Sequence, residues 1–159
     1  MGWTYLKARQ YSQAVAEGRK ALELYPRHPL GHKFLGQELI ANGETAAGVS
    51  HLEQAETLSG GGALYTSALG YGYGVVGNRP QALAALDRLI AESKKRYVNP
   101  FDIAFVDRGL ADRARTIEWL EKAYAERTMR LTEITLPAFD FMRSDPRFRD
   151  IERRMSPPQ

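Results

Sequence analysis

The sequence repeats with a period of 34 residues, and this period limits the fold more than any other feature. Steps of 34 residues connect mostly small or apolar side chains in six columns, and four units fit without an insertion or deletion. The columns are Met1, Leu35, Leu69 and Ile103; Gly2, Gly36, Gly70 and Ala104; Arg9, Gly43, Gly77 and Ala111; Ala14, Gly48, Ala82 and Thr116; Gly18, Leu52, Leu86 and Leu120; and Ala21, Ala55, Leu89 and Ala123. A fixed period of this length is typical of stacked repeat units that share one core.

Each unit has the pattern of two helices joined by a turn. Apolar residues three or four apart give each helix one buried face. Small residues such as Gly36 and Gly48 predict where the two helices of a unit cross, because only a small side chain lets two backbones approach closely. The pattern predicts an all-α fold with antiparallel helices at 30–41, 46–58, 63–76, 80–95, 100–110 and 113–127, after a first pair shortened at residue 1.

These columns resemble the tetratricopeptide repeat, whose helix–turn–helix unit also has 34 residues. The family's leucine-glycine pair, tyrosine, two alanines and terminal proline have counterparts in Leu35-Gly36, Leu69-Gly70, Tyr5, Tyr73, Ala14, Ala82, Ala21, Ala55, Ala123 and Pro26. Asp107 replaces the tyrosine in the fourth unit, and Gly60, Lys94 and Thr128 replace the proline. The resemblance implies a right-handed superhelical solenoid of four units at 1–28 (truncated), 29–62, 63–96 and 97–130, with a C-terminal capping segment at 131–159.

The capping segment contains the stretch from Phe139 to Phe148, which resembles the end of repeat arrays in many bacterial multidomain proteins. Ser144 or Asp145 can cap a helix that begins at Pro146. Phe148, Ile151 and Met155 then form one face that can cover the last repeat. Because Met1 falls partway through a repeat, we also expect the chain to be the C-terminal part of a longer bacterial protein.

The resemblance implies a concave face lined by the first helix of each unit. We expect this groove to contain Lys7, Lys33, Gln37, Tyr71, Phe101, Phe105 and Arg108, with Trp3 at its edge. A mixture of aromatic rings, cations and an amide is common in peptide-binding grooves. The alternative is that these aromatic residues pack between repeats or against the cap.

Two functions follow from this groove. The first is a non-catalytic scaffold that binds a protein or peptide partner in an open groove. The second is a sensor module that binds a small ligand and controls an upstream domain, for which the groove should be closed over Tyr71 and Phe105. A third, weaker hypothesis is self-association through the apolar N-terminal end around Trp3. No set of residues at an interpretable spacing suggests catalysis or a cofactor.

Other candidate motifs favour ordinary structural roles. Only Lys33 matches the carboxylate clamp by which some tetratricopeptide domains bind chaperone tails, so that function is not expected. His28 and His32 are four residues apart, but we predict surface histidines because Pro29 starts the helix between them. Gly72 and Gly74 predict a flexible or bent helix rather than a phosphate loop.

The composition excludes several classes of protein. The sequence has no cysteine, which excludes disulfides and thiol catalysis, and no stretch of about 18 apolar residues that could cross a membrane. The net charge of +3 is too small to suggest nucleic-acid binding, and the arginines near the C-terminus are interleaved with acidic residues. We expect a cytoplasmic protein that contacts neither nucleic acid nor membrane.

Overall fold

A computed structural model describes residues 2–155, and within this range all regular structure is helical. Nine α-helices and two 3-10 helices follow one another in this part of the chain. The α-helices are α1 (Gly2–Lys7), α2 (Tyr11–Leu24), α3 (Pro29–Ala41), α4 (Thr45–Ser59), α5 (Ala63–Val75), α6 (Arg79–Ser93), α7 (Pro100–Gly109), α8 (Arg113–Ala125) and α9 (Pro146–Met155). The 3-10 helices are Met129–Thr135 and Pro137–Met142. The all-α prediction is confirmed, and the six predicted helices are present with ends shifted by at most two residues.

The turns inside the four helical pairs share one backbone conformation. Positive φ values occur at Arg9 (58°), Gly43 (89°), Gly77 (79°) and Ala111 (59°), which form one column of the repeat. In each turn the next residue donates its N–H to a carbonyl five residues earlier, as Glu44 does to Leu39 at 2.9 Å and Asp112 does to Asp107 at 3.0 Å. This is the usual hydrogen bonding at a helix end that closes with a left-handed residue. The 34-residue period is therefore present in the backbone as well as in the sequence.

Small residues let neighbouring helices touch through their backbones. A Cβ atom added to Gly36 would lie 2.8 Å from the carbonyl oxygen of Gly48, and one added to Gly48 would lie 2.7 Å from that of Gly36. The predicted crossing of α3 and α4 is confirmed. Gly74 brings α5 equally close to α7, because its Cβ would lie 2.6 Å from the carbonyl oxygen of Gly109.

Helix α5 is regular, although its glycines predicted a flexible or bent helix. Gly72 faces Leu52 of α4, and Gly74 faces the backbone at the end of α7. These glycines therefore make room for neighbouring helices without interrupting their own, and the predicted flexibility of α5 stays a prediction.

The helices form an inner layer and an outer layer. The first helices of successive pairs, α1, α3, α5 and α7, contact one another, and each second helix packs against its own pair and the next. Helix α9 packs on α8 through the buried Phe148 and Ile151, and the Asp145 carboxylate accepts the backbone N–H of Arg147 at 2.9 Å, as expected for a cap. The two 3-10 helices lie on the inner layer, where Phe139 and Met142 are fully buried.

Candidate ligand-binding site

The C-terminal segment, defined here as residues 129–142, covers the predicted groove. Six of the seven predicted groove residues contribute to the covered surface, and the seventh, Lys7, is exposed on α1. The covered residues are Lys33, Gln37, Tyr71, Phe101, Phe105 and Arg108. The expected exposure of Tyr71 and Phe105 is wrong, since they are only 5% and 1% exposed. The alternative, packing against the cap, describes both rings.

An aromatic cluster holds the segment in place. Phe139 from the segment lies between inner helix α7 and helix α9, with its ring centroid 5.8 Å from Phe101, 6.0 Å from Phe105 and 6.1 Å from Phe148. Tyr71 stacks on Phe105 at a centroid distance of 4.3 Å. Stacked and tilted aromatic pairs at these distances are stabilising beyond their buried area.

Buried ion pairs anchor the start of the segment. Arg130 pairs with Asp102 of α7 and also with Glu133, whose carboxylate is 2.8 Å away. Ser67 of α5 donates to Asp102 at 3.0 Å. Burial raises the pKa of Asp102, and the adjacent Arg130 guanidinium opposes this shift. These contacts make the segment part of the inner layer rather than a loose cover.

A cavity of about 240 Å³ remains between the second 3-10 helix and the inner layer. Its wall is mainly apolar and includes Leu6, Ile40, Val75, Leu136 and Pro137. Its polar residues are Tyr11, Gln37, Tyr71, Arg108 and Asp140. A mostly apolar wall with a few convergent polar groups is typical of small-molecule sites.

Arg108 is the central cation of the cavity. Its Nε donates to the carbonyl oxygen of Ala138, and its Cζ atom lies 4.9 Å from the ring centroids of both Tyr71 and Phe141. Within the described residues, no carboxylate lies within 4 Å of the guanidinium, and its two terminal amino groups make no hydrogen bond. Burial lowers the pKa of Arg108, and the nearby Tyr71 and Asp140 oppose that shift.

Gln37 supplies a second polar group with an unused donor. Its Oε1 accepts from the Lys33 ammonium at 3.4 Å, and its buried Nε2 has no partner within the described chain. Burial lowers the pKa of Lys33 to about 8. The Asp140 carboxylate is already engaged, since Arg9 lies 2.6 Å away and Arg143 lies 3.1 Å away.

The segment was the part of the site that sequence reasoning missed. The repeat ends before it, so no column pointed to Leu136, Pro137, Ala138 or Asp140. The available signal was the three-residue spacing of Leu136, Phe139 and Met142, which matches the three residues per turn of a 3-10 helix. All three are buried.

The histidines also differ from the prediction. His28 precedes α3 as predicted, and its Nδ1 accepts the backbone N–H of Gly31 at 3.2 Å. His32 is buried, so its prediction as a surface residue is wrong: its Nε2 donates to the Pro26 carbonyl, and its Nδ1 is 2.9 Å from Nδ1 of His51. Between residues 2 and 155, no three His, Cys, Asp or Glu side chains are grouped closely enough to hold a metal ion.

Comparison with family models, with curated proteins and with solved structures finds no match for this chain. The tetratricopeptide pattern therefore remains a resemblance carried by the sequence columns and not a family assignment. Across the described range, no helix combines the length and apolar character needed to cross a membrane.

Proposed function

We propose that this protein is a non-catalytic ligand-binding module, in which the C-terminal segment closes the inner layer over a small-molecule cavity. The observation that carries this proposal is the closure over Tyr71 and Phe105, which leaves a partly enclosed space of about 240 Å³ in place of a groove with both rings exposed. The sequence hypotheses differed on this feature, because an open groove favours a peptide and a closed groove favours a small ligand. The geometry supports the sensor hypothesis better than the scaffold hypothesis.

The polar groups of the cavity are suited to binding. They comprise one guanidinium, one amide, two phenols and a carboxylate that already pairs with arginines. Most hydrolytic or group-transfer reactions need a nucleophile next to an oriented base, and these polar groups do not form such a pair. If the chain belongs to a longer regulatory protein, as its resemblance implies, ligand binding would control another domain by stabilising the closed segment.

A second candidate function, binding of a protein or peptide partner, rests on how the segment itself is held. Phe139 fills an aromatic pocket and Arg130 pairs with Asp102, which are the contacts that a bound peptide would make. A partner with the same residue types could replace the segment on the inner layer. Self-association of two copies through the apolar N-terminal end near Trp3 stays a prediction.

The test is a fragment screen by ligand-observed NMR, followed by thermal unfolding. Ala41 lines the cavity, and Ala41→Leu should fill part of it, whereas Ala46 is exposed on α4 and Ala46→Leu is the matched control. We expect fragments that raise the melting temperature of the wild type and the control but do not bind Ala41→Leu. The absence of any such fragment would exclude a ligand cavity.

A second experiment on the intact protein distinguishes the second candidate function from the first. A synthetic peptide with the sequence of residues 129–142 is added to the intact chain. Saturable binding of this peptide, with displacement of the native segment, favours a peptide-exchanging scaffold. Fragment binding without peptide binding favours the closed sensor.

A further inference from the structure

We infer that the cavity accepts a small monocarboxylate with an apolar or aromatic body, with the carboxylate on Arg108. This inference rests on the proposed ligand-binding function and names the chemical class of the ligand. It depends on three features of the cavity. Arg108 lacks an anionic partner, the nearby carboxylate is already paired with other arginines, and the wall has a limited size and few polar groups.

Arg108 is held in one position but lacks an anionic partner. The Ala138 carbonyl fixes its Nε, and the rings of Tyr71 and Phe141 restrict the guanidinium plane. Its two terminal amino groups have no hydrogen-bond partner in the part of the chain that the structure describes. A planar guanidinium with two such amino groups matches a carboxylate, which can accept two parallel hydrogen bonds from it.

The charges around the cavity favour an anion over a cation. Arg9 and Arg143 both pair with Asp140, and Arg143 pairs with Glu152 as well, so Arg108 is the cation of the lining that has no carboxylate partner among the described residues. Asp140 is directed to Arg9 and Arg143 and does not approach within 4 Å of Arg108. An ammonium on the ligand would be repelled by the unpaired guanidinium of Arg108, which disfavours amines and amino acids.

Gln37 offers a donor in the same cavity. The Lys33 ammonium donates to Oε1, and the buried amide nitrogen Nε2 has no acceptor within the described chain. A buried donor without a partner is costly, so a rotation of the Gln37 amide that brings Nε2 to a ligand oxygen would be favourable. Arg108 and Gln37 therefore both require acceptors, and no group of the ligand needs to be a donor.

The volume and wall define the rest of the ligand. A cavity of 150 Å³ is known to hold benzene, so by proportion 240 Å³ holds about ten non-hydrogen atoms. Leu6, Ile40, Val75 and Leu136 would surround this body, which leaves no partner for a second charge. Aromatic and branched aliphatic monocarboxylates meet these requirements, whereas dicarboxylates and sugars do not.

Isothermal titration calorimetry tests this inference with three acids and their neutral amides: benzoate and benzamide, phenylacetate and phenylacetamide, isovalerate and isovaleramide. We expect at least one acid to bind the wild type roughly tenfold or more tightly than its amide, because the amide lacks the charge. Arg108→Gln should abolish that preference. Arg113→Gln is the matched control, because Arg113 also lies over the Phe141 ring, at 5.2 Å, but does not line the cavity.

A measurement on the wild type keeps the test decisive if Arg108→Gln does not fold. In nitrogen-15 NMR spectra of arginine side chains, the bound acid should shift the Nε signal of Arg108, whereas its amide should not. Equal binding of acids and amides, or an unchanged Arg108 signal, would overturn the carboxylate inference. If neutral fragments still bind and are lost in Ala41→Leu, the proposed function stands; if nothing binds the cavity, both fail.

Discussion

The helical pairs at residues 2–125 and the C-terminal part at residues 129–155 are held by different kinds of contact. In the helical pairs the closest contacts are between backbones, as at Gly36 and Gly48. In the C-terminal part they are between large side chains, such as the Phe139 ring and the Arg130 guanidinium. Backbone contacts require small residues at fixed intervals, so they leave a period in the sequence, whereas contacts between large side chains need no period.

The two regions also differ in how their buried charged side chains are paired. In the C-terminal part, Arg130 is paired with carboxylates. In the helical pairs, Glu38 is 2% exposed and its Oε2 has no hydrogen-bond partner in the described chain. Asp107 is fully buried, neither of its carboxylate oxygens has a hydrogen-bond partner within the described chain, and Arg115 lies 3.5 Å away. Buried carboxylates that lack hydrogen bonds favour their neutral form, so the helical pairs should be the pH-sensitive region.

The largest effect should come from removing the aromatic anchor of the C-terminal part. Phe139→Ala should lower the free energy of unfolding by about 3–5 kcal/mol, because a fully buried ring is lost and a void remains. Urea unfolding monitored by circular dichroism measures this. Phe34→Ala, at a ring that is 37% exposed, is the control and should cost much less. An equal cost for both would mean that the segment docks loosely on an independent repeat core.

The next effect tests the difference in buried charge. Burial raises the pKa of Glu38 from 4.5 to about 7 in the folded protein. Between these values the folded state holds a proton that the unfolded state has lost, so the contribution of Glu38 to stability is complete below pH 4.5 and is lost as the pH rises through 7. Glu38→Gln should remove this loss and raise the free energy of unfolding at pH 8 by up to about 3 kcal/mol.

The control for this prediction is Asp87→Asn, since Asp87 is exposed on α6 and its replacement leaves the core untouched. The quantity to compare is the slope of unfolding free energy against pH from 4.5 to 7 for the two variants. A wild-type slope retained in Glu38→Gln would show that another group carries the dependence. Asp107, whose pKa burial raises to about 6, would be the next to replace.

A smaller effect tests the columns of the helical pairs. Ala82 is fully buried in a column otherwise filled by alanine, glycine and threonine. Ala82→Leu should lower the free energy of unfolding by about 1–3 kcal/mol, because a larger side chain has no space there. Lys95→Leu, at an exposed position, should change stability very little. Equal melting temperatures for the wild type and Ala82→Leu would contradict the assigned register.

The sequence predicted the helices well because small residues and turns record where backbones touch. Gly36, Gly48 and the turn column at Gly43 and Gly77 were sufficient for that purpose. Arg108 lies on the inner helix α7, but its surroundings were not predicted, because Ala138 contacts it from a segment 30 residues later that has no repeat. Nothing in the spacing of the earlier residues indicates which later segment will cover them.

The smallest effect isolates the turn that all four helical pairs share. Ala111 has a φ of 59° although it has a side chain, and this conformation is unfavourable for L-residues. Ala111→Gly should therefore raise the free energy of unfolding by about 1 kcal/mol, since part of the gain is offset by the greater freedom of glycine in the unfolded chain. Gly77 occupies the same place with a φ of 79° and with no atom within 4 Å of an added Cβ, so Gly77→Ala should lose about 1 kcal/mol through the backbone alone. Thermal unfolding of both variants measures these effects. Changes of opposite sign in the free energy of unfolding would show that the backbone conformation sets the period. Changes of the same sign would mean that side-chain packing dominates these turns, as it does in the C-terminal part.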